Sequence, residues 1–433
     1  MQRNIKQRIK TLLPSKVFRA IEPTGHLLEA VAHSLRQGRP ARHMRLIGVT
    51  GTNGKTTTCF MIHKMLSEAG IRTGLMTTVA YGVGDAIQPQ LQHMTSVSAP
   101  LLNRRLAEMR AQGVEWLVLE TTSHALAQHR VWGVPYEIAV MTNVTHEHLD
   151  YHGTFARYQQ AKRRLFTLAG KHPQGFAVVN ADDPAGAAFL QATGHGESYG
   201  VHQGELRAEQ IELHSKGSHY KAVVGGEAYT IRCHIPGEFN VYNSLAAVAV
   251  GRRVGLTRRQ IEQGIAALKT VEGRMVTVNE GQPFTVIVDF AHTPDAFERL
   301  LRDIRQQTKG KLVAVFGSAG RRDESKRAIQ GRIAGTYCDE VILTEEDDRD
   351  VDGAVILSHI AEGVQAAGKQ LEKDLFLVPD RTEAIMRAMQ RVSVADDTVV
   401  LLGKGHEKTI ERADGEHPWD EMAAARAAIR AVL

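Results

Sequence analysis

Ile47-Gly48-Val49-Thr50-Gly51-Thr52-Asn53-Gly54-Lys55-Thr56-Thr57-Thr58 is the stretch that decides how the chain is read. With Leu46, its apolar start reads as a buried parallel strand, and Cys59 to Ile62, Met65 and Leu66 follow at helical spacing. Strand, glycine-spaced turn and helix in that order make a concave site for anionic oxygens, because the N–H groups of the turn and of the helix N-terminus converge. Gly51, Thr52, Asn53, Gly54 and Thr57 would line that cradle, Lys55 would reach the outer phosphates, and the Thr56 hydroxyl would ligate Mg²⁺. The strict spacing asks for glycine where Val49 stands. The glycine comes one residue earlier, at Gly48, so this is a variant phosphate loop.

A length of 433 residues allows two or three domains with ample core. At 43% apolar and 23% charged, the chain is neither disordered nor a bilayer protein, and no apolar run is long enough to span a membrane. The start leads to no signal-type apolar core. Cys59, Cys233 and Cys338 show no metal or redox spacing, so reduced thiols and a cytoplasmic setting are expected. Net charge is +5, unevenly spread: residues 1–45 carry ten Lys/Arg against Glu22 and Glu29, leaving −3 for the remainder. Ile5, Ile9, Leu12 and Leu13 make one amphipathic face in this basic arm, and Leu27, Leu28, Val31 and Leu35 another. The arm is either the solvated side of a packing helix or a weak contact for anionic lipid or a phosphorylated substrate.

Downstream, strands are expected at 71–75, 116–120, 138–144 and 176–180, with helices at 101–109 and 158–168 and a loop over 81–100. This alternation predicts a mostly parallel sheet covered on both faces. Residues 204–235 read as antiparallel hairpins, and Gly237-Glu238-Phe239-Asn240 leads into a helix over 241–250. A second α/β pattern then begins, with strands at 285–288, 312–316, 340–343, 375–378 and 398–402. The fold class is α/β: a basic helical arm (1–44), a central P-loop domain (45–273) and a Rossmann-like C-terminal domain (274–433).

In open parallel sheets ligands gather at the C-terminal strand ends. Glu120 ends one strand and suits Mg²⁺ beside a phosphate loop; the alternative is a helix cap. His146, Glu147, His148 and Asp150 follow another strand, and His148 offers a second metal ligand. In the second half, Asp289 to Asp295, Gly317 to Asp323 with Lys326 and Arg327, Thr344 to Arg349, and Leu402 to Glu407 all fall at strand ends. Such repetition predicts two half-sites facing one cleft, with nucleotide on one side and a charged co-substrate between them.

Taken in combination, Gly51-Thr52-Asn53-Gly54-Lys55-Thr56, Glu120-Thr121-Thr122-Ser123-His124, Asn143 to Gly153, Gly237 to Asn243, Gly273-Arg274, Asp289 to Pro294 and Gly403-Lys404-Gly405-His406-Glu407 resemble the motifs of the Mur ligases, ATP-dependent amino-acid ligases of peptidoglycan synthesis. The chain is most similar to the branch that adds the third amino acid to UDP-MurNAc-L-Ala-D-Glu, from about Leu46 to the C-terminus. The resemblance implies ATP, two Mg²⁺ sites (Thr56 with Glu120, and His148 with a carbamylated Lys162) and a phosphate contact from Lys326. It implies nucleotide contacts from Asn243, Arg274, Asp289 and His292. Thr95, Ser96, Thr122, Ser123, Gln128 and Arg130 match positions around the muramyl peptide. Arg322, Asp347, Arg349, Gly403 and Glu407 match positions around the incoming amino acid. A monomer without nucleic-acid partners is expected.

Three departures stand out. Only some 45 residues precede the phosphate-loop strand, where the family carries a uridine-binding domain. Glu346-Asp347-Asp348-Arg349 stands where diaminopimelate enzymes carry Asp-Asn-Pro-Arg; Arg349 favours a distal carboxylate, the added acids the ammonium of lysine. His146-Glu147 replaces the usual pair before the metal-binding histidine. Two rival readings are a related ligase acting on a lipid-linked or poly-glutamate acid, and a nucleotide-binding regulator without ligase activity.

Overall fold

The computed structural model describes residues 15–90 and 96–433. The first half builds one sheet from β1 (Arg45–Thr50), β2 (Thr73–Met76), β3 (Ala80–Val83), β4 (Ala86–Pro89), β5 (Trp116–Glu120), β6 (Tyr136–Met141), β7 (Phe176–Asn180), β8 (Gly196–Gly200), β9 (Leu206–His214), β10 (Gly217–Val224) and β11 (Glu227–Cys233). Their spatial order is β11-β10-β9-β8-β7-β6-β1-β5-β2-β3-β4. The middle, from β9 to β2, is parallel, and both margins are antiparallel. Central strands are apolar and buried along their length, as strands covered on both faces must be: β5 and β6 have no exposed residue. β10 and the first four residues of β9 instead alternate, because one of their faces is wet.

The second half builds β12 (Val276–Val278), β13 (Thr285–Asp289), β14 (Leu312–Phe316), β15 (Glu340–Leu343), β16 (Leu375–Leu377) and β17 (Thr398–Leu402) into a sheet of order β12-β13-β17-β14-β15-β16, parallel except for β12. A separate hairpin pairs β18 (Thr409–Arg412) with β19 (Gly415–Pro418). Three continuous apolar clusters line the sheet faces.

Local expectations need correction at three places. Residues 81–100 are not one loop: β3 and β4 form a hairpin and a helix starts at Ala99. Gly82 and Gly84, read as loop signals, serve the hairpin, since a Cβ on Gly82 would sit 2.1 Å from the Ala86 carbonyl oxygen. Second, the helix Ser15–Arg36 does not bury the face of Leu27, Leu28, Val31 and Leu35. Ala30 and Ser34 are buried instead, and Leu28 and Leu35 are 66% and 49% exposed. The face of Ile5, Ile9, Leu12 and Leu13 lies outside the described residues. Third, Gly48 is not part of the phosphate turn. It lies inside β1, where a Cβ would meet the Tyr136 ring at 2.6 Å, so this glycine serves packing. Among the described residues no helix is long and apolar enough to cross a membrane.

Candidate active site

The order β6-β1-β5 places three strand ends side by side. Val49 pairs with Glu120 of β5, and Thr50 pairs with Met141 of β6. The segment after β1 therefore runs between the carboxylate ending β5 and the polar segment after β6. Gly51 (φ 155°) and Gly54 (φ 82°) shape the turn, and the helix Lys55–Glu68 follows. A Cβ on Gly51 would overlap Thr142 Oγ1 at 1.8 Å, and one on Gly54 would overlap Asn243 Oδ1 at 2.3 Å. Thr142 Oγ1 donates to the Asn53 carbonyl (2.6 Å) and the Asn53 N–H donates to Asn143 Oδ1 (2.9 Å), so the turn is held by the segment that follows β6. Lys55 Nζ donates to the Thr52 carbonyl at 2.7 Å.

Thr56 Oγ1 donates to Glu120 Oε2 at 2.9 Å, and the Thr78 N–H reaches the same oxygen at 3.0 Å. Lys162 is fully buried in the helix Phe155–Ala169, donating to the Gly51 carbonyl and lying 4.5 Å from the Tyr158 ring. Burial, then the nearby Lys55 cation, holds its amine well below the usual lysine range. His148 adopts φ 55° and immediately precedes the short helix Leu149–His152. Its imidazole faces Glu147 (3.6 Å) and meets His124 edge-on at 4.7 Å between ring centres. Burial lowers the pKa of His148, that of His124 to about 3 and that of His152 to about 4, so the His124 and His152 rings are neutral near pH 7. Burial alone would raise Glu147, but His148, His292 and Lys55 outweigh it and keep it ionised.

The second sheet faces this edge with its own strand ends. Asp289 accepts from the N–H groups of Met275 (2.8 Å) and Ala291 (2.7 Å), fixing the bend after β13. His292 lies 3.4 Å from Glu147 of the first half, and Asn53 Nδ2 donates to Asp295 Oδ2 at 2.8 Å. Arg274 reaches Thr56 Oγ1 at 3.3 Å and rests over the Phe290 ring, and burial lowers its pKa. Lys326 Nζ donates to the His292 carbonyl at 3.0 Å. Buried Lys404 bridges Asp347 (2.8 Å) and Glu407 (2.6 Å), while Arg349 donates to Glu411 Oε2 (2.8 Å) and the Gly320 carbonyl (2.6 Å). Gly403, at φ 100°, lets Glu346 approach: a Cβ there would lie 2.6 Å from its carboxylate.

Many of these groups line one cavity of about 1200 Å³ shared by both sheets, with Lys55, Thr56, Glu120 and His148 on one wall and Arg322, Asp347, Arg349 and Glu407 on the other, whereas Gly51, Lys162, Gly403 and Lys404 stand behind its lining. Asn243, Arg274, Asp289, His292 and Lys326 also line it. Four residues other than glycine with positive φ fall on the lining: His148, Met275, Arg321 and Arg349. Such backbone costs of order 1–2 kcal/mol per residue and clusters where side chains are aimed for function.

Not every expected residue opens on this cavity. Ser96, Thr122 and Arg130 form a cluster of their own: Thr122 Oγ1 donates to Ser96 Oγ (3.1 Å) and Arg130 to the Ser96 carbonyl (2.8 Å). Of these, Thr122 lines the cavity. Ser123 is buried against His152 at 3.0 Å, and buried Gln128 has an unpaired Oε1. Thr95 lies outside the described residues. Asn243 packs against Gly54 and accepts from Thr58 Oγ1 at 3.2 Å. Lys404, Glu147 and Glu411 join the site without having been given a role in it. For Lys404 and Glu147 the signal was present in the strand-end clusters; Glu411 comes from a hairpin that the sequence does not flag.

A phosphate turn with a strand-end carboxylate, faced across a cavity by the charged strand ends of a second α/β sheet, defines a nucleotide-dependent ligase. Residues 49–251 match the Mur ligase middle domain, and residues 273–405 match the Mur ligase glutamate ligase domain. The chain is 42% identical over 406 residues to a UDP-N-acetylmuramyl-tripeptide synthetase of Roseiflexus sp. (strain RS-1), covering 90% of this chain and 80% of that protein. It is 39% identical to a UDP-N-acetylmuramoyl-L-alanyl-D-glutamate--2,6-diaminopimelate ligase of Geobacillus kaustophilus, covering 91% and 80%. A solved 2,6-diaminopimelate ligase superposes with a TM-score of 0.62 at 31% identity, covering 90% and 79%. A folylpolyglutamate synthase of Mycobacterium tuberculosis reaches a TM-score of 0.73 at 19% identity over 98% of both chains, which shows a shared fold. The chain belongs to the Mur ligase family and is an ATP-dependent ligase.

Proposed function

We propose that this ligase adds the third amino acid, diaminopimelate, to UDP-MurNAc-L-Ala-D-Glu. The observation that carries the reading is the single cavity where Lys55 and Glu120 face Arg349 and Glu407. Diaminopimelate presents both a carboxylate and an ammonium at its far end. Arg349 offers a planar fork for the first, and Glu346, Asp347 and Glu411 offer charge for the second. Five of the relatives carry 2,6-diaminopimelate ligase as their name.

A carboxylate oxygen of the D-Glu side chain attacks the γ-phosphorus of ATP, the bond to the ADP oxygen breaks, and an acyl phosphate forms. The amine of diaminopimelate attacks the acyl carbon, sheds its proton, and phosphate leaves. Lys55 offsets charge spreading over the phosphoryl oxygens, and Lys326 lies by the transferred group. Arg274 and Asn243 orient the nucleotide. The contacts Asn53–Asp295 and Glu147–His292 draw the two sheets together and keep water from the acyl phosphate. Mg²⁺ would be held at two places, by Thr56 with Glu120 and by His148 with Lys162, and would neutralise phosphate charge. The hard oxygens of Thr56 and Glu120, 2.9 Å apart, fit the first place. A lysine cation does not fit the second. A buried amine pushed well below its ordinary pKa is nucleophilic, however, and adding CO₂ with loss of a proton would make it a carboxylate-like carbamate.

Phosphate release tests this reading. Turnover is expected only with ATP, the muramyl dipeptide nucleotide and diaminopimelate together. Turnover with ATP alone would favour the regulatory reading, and indifference to the UDP group would favour a ligase for another acid.

A further inference from the structure

At the far side of the first sheet, β9 and β10 carry a feature that ligation does not use. His219 of β10 stands directly opposite Glu212 of β9, and His214 follows two residues along β9. Residues two apart on a strand share a face, and directly opposed residues are the closest cross-strand pair. All three side chains are exposed, and one ligand atom from each lies within 4.8 Å of the others. His214 Nε2 is 3.8 Å from Glu212 Oε2, and the two imidazoles are 5.5 Å apart between centres, inclined at 68°.

A bulge produces this arrangement. The pairing Lys221 with Glu209 slips by one residue before His219 pairs with Glu212, leaving an extra β9 residue beside Gln210, whose φ is 53°. Before the bulge the even positions Leu206 and Ala208 face inward; beyond it Glu212 and His214 face solvent. Without the extra residue the pleat would turn both to the opposite face of the sheet. Four strands away lies β1, and none of the three residues lines the catalytic cavity.

We propose that Glu212, His214 and His219 form a surface site for a divalent transition-metal ion, Zn²⁺ or its neighbours Ni²⁺ and Cu²⁺. Two imidazole nitrogens with one carboxylate oxygen select these ions over Mg²⁺, which prefers an all-oxygen shell. Zinc–nitrogen bonds of about 2.0–2.1 Å need only small side-chain rotations from the present spacing, and positions remain open for water. Arg232 of β11, directly across from His219, adds a cation beside the site and keeps its affinity below that of a buried zinc centre. A bound ion would tie β9 to β10 at the mouth of their turn.

The test is calorimetric titration of Zn²⁺ into the full chain with Mg²⁺-ADP saturating, comparing the native protein with H214A, H219A, E212Q and H214A/H219A. One zinc equivalent is expected in the native protein. Its affinity should fall at least about tenfold in either single histidine variant, and the equivalent should vanish in the double variant. Zinc should also raise the melting temperature of the native protein more than that of the double variant. Unchanged zinc-free ligase turnover in the double variant establishes that it is folded. Equal zinc stoichiometry and affinity in native and double-variant proteins, or no zinc equivalent in the native protein, would overturn the proposal.

Discussion

Replacing Glu421 by glutamine tests how the loops at the end of the cavity proposed to take the amino acid are held. Arg381 and Glu421 are both fully buried and paired twice, Nε to Oε2 at 2.9 Å and Nη2 to Oε1 at 2.6 Å. The same guanidinium donates to the carbonyls of Leu402 (2.8 Å) and Glu345 (3.0 Å), where the segments bearing Gly403–Glu407 and Glu346–Arg349 depart. Trp419 Nε1 donates to Glu421 at 2.7 Å. Burial would lower the pKa of Arg381, and Glu421 more than reverses it. Glutamine keeps the shape but leaves a buried cation unpaired, which costs about 3–5 kcal/mol. For a domain of this size each kcal/mol moves melting by about 2–4 °C, so calorimetry should show the second sheet melting roughly 6–20 °C lower. Replacing both partners by apolar residues, as in R381M/E421L, should recover most of that loss, since the penalty lies in the unpaired charge. With E421Q still folded at low temperature, KM for the amino acid should rise more than KM for ATP. A loss below about 1 kcal/mol, or a double variant no better than E421Q, would refute this reasoning.

Three further outcomes are expected. Lys162→Ala should lose turnover and regain part of it with added short carboxylic acids; full activity in the bare variant would remove the carbamate. Arg349→Ala should raise KM for diaminopimelate by about 10–150-fold, the value of a charge-assisted pair at 1.5–3 kcal/mol, and change lysine use less, as phosphate release would read. His63 is 4% exposed, and burial lowers its pKa from 6.5 to about 4. Its folded pKa is depressed, so the stability it protects is present above about pH 6.5 and is lost as pH falls towards 4. That amounts to about 3 kcal/mol, and urea melts of His63→Gln should show a shallower acid loss than the native chain.

Much of the candidate site was legible because its parts are local. The phosphate turn, Glu120 and the polar segment around His148 each follow an apolar run within a few residues, and strand ends are where parallel sheets collect ligands. The strands over 312–316, 340–343 and 398–402 stand at the expected residues, being short apolar runs between turn signals. The hairpin β3–β4 escaped because its glycines read as loop. The bulge at Gln210 escaped because nothing local marks an extra residue whose effect depends on the partner strand.

What the sequence by itself determined was the chemistry available: which segments end in N–H donors for phosphate, carboxylates, imidazoles and guanidinia, and that two α/β units carry them. Tertiary structure alone decided which of them meet. The order β6-β1-β5 set Thr56 against Glu120, Glu147 met His292 across the two halves, and buried Lys404 tied Asp347 to Glu407. The reason is physical: periodicity and turn residues act over a few positions, whereas these distances depend on strand order and packing between residues 57 to 145 positions apart.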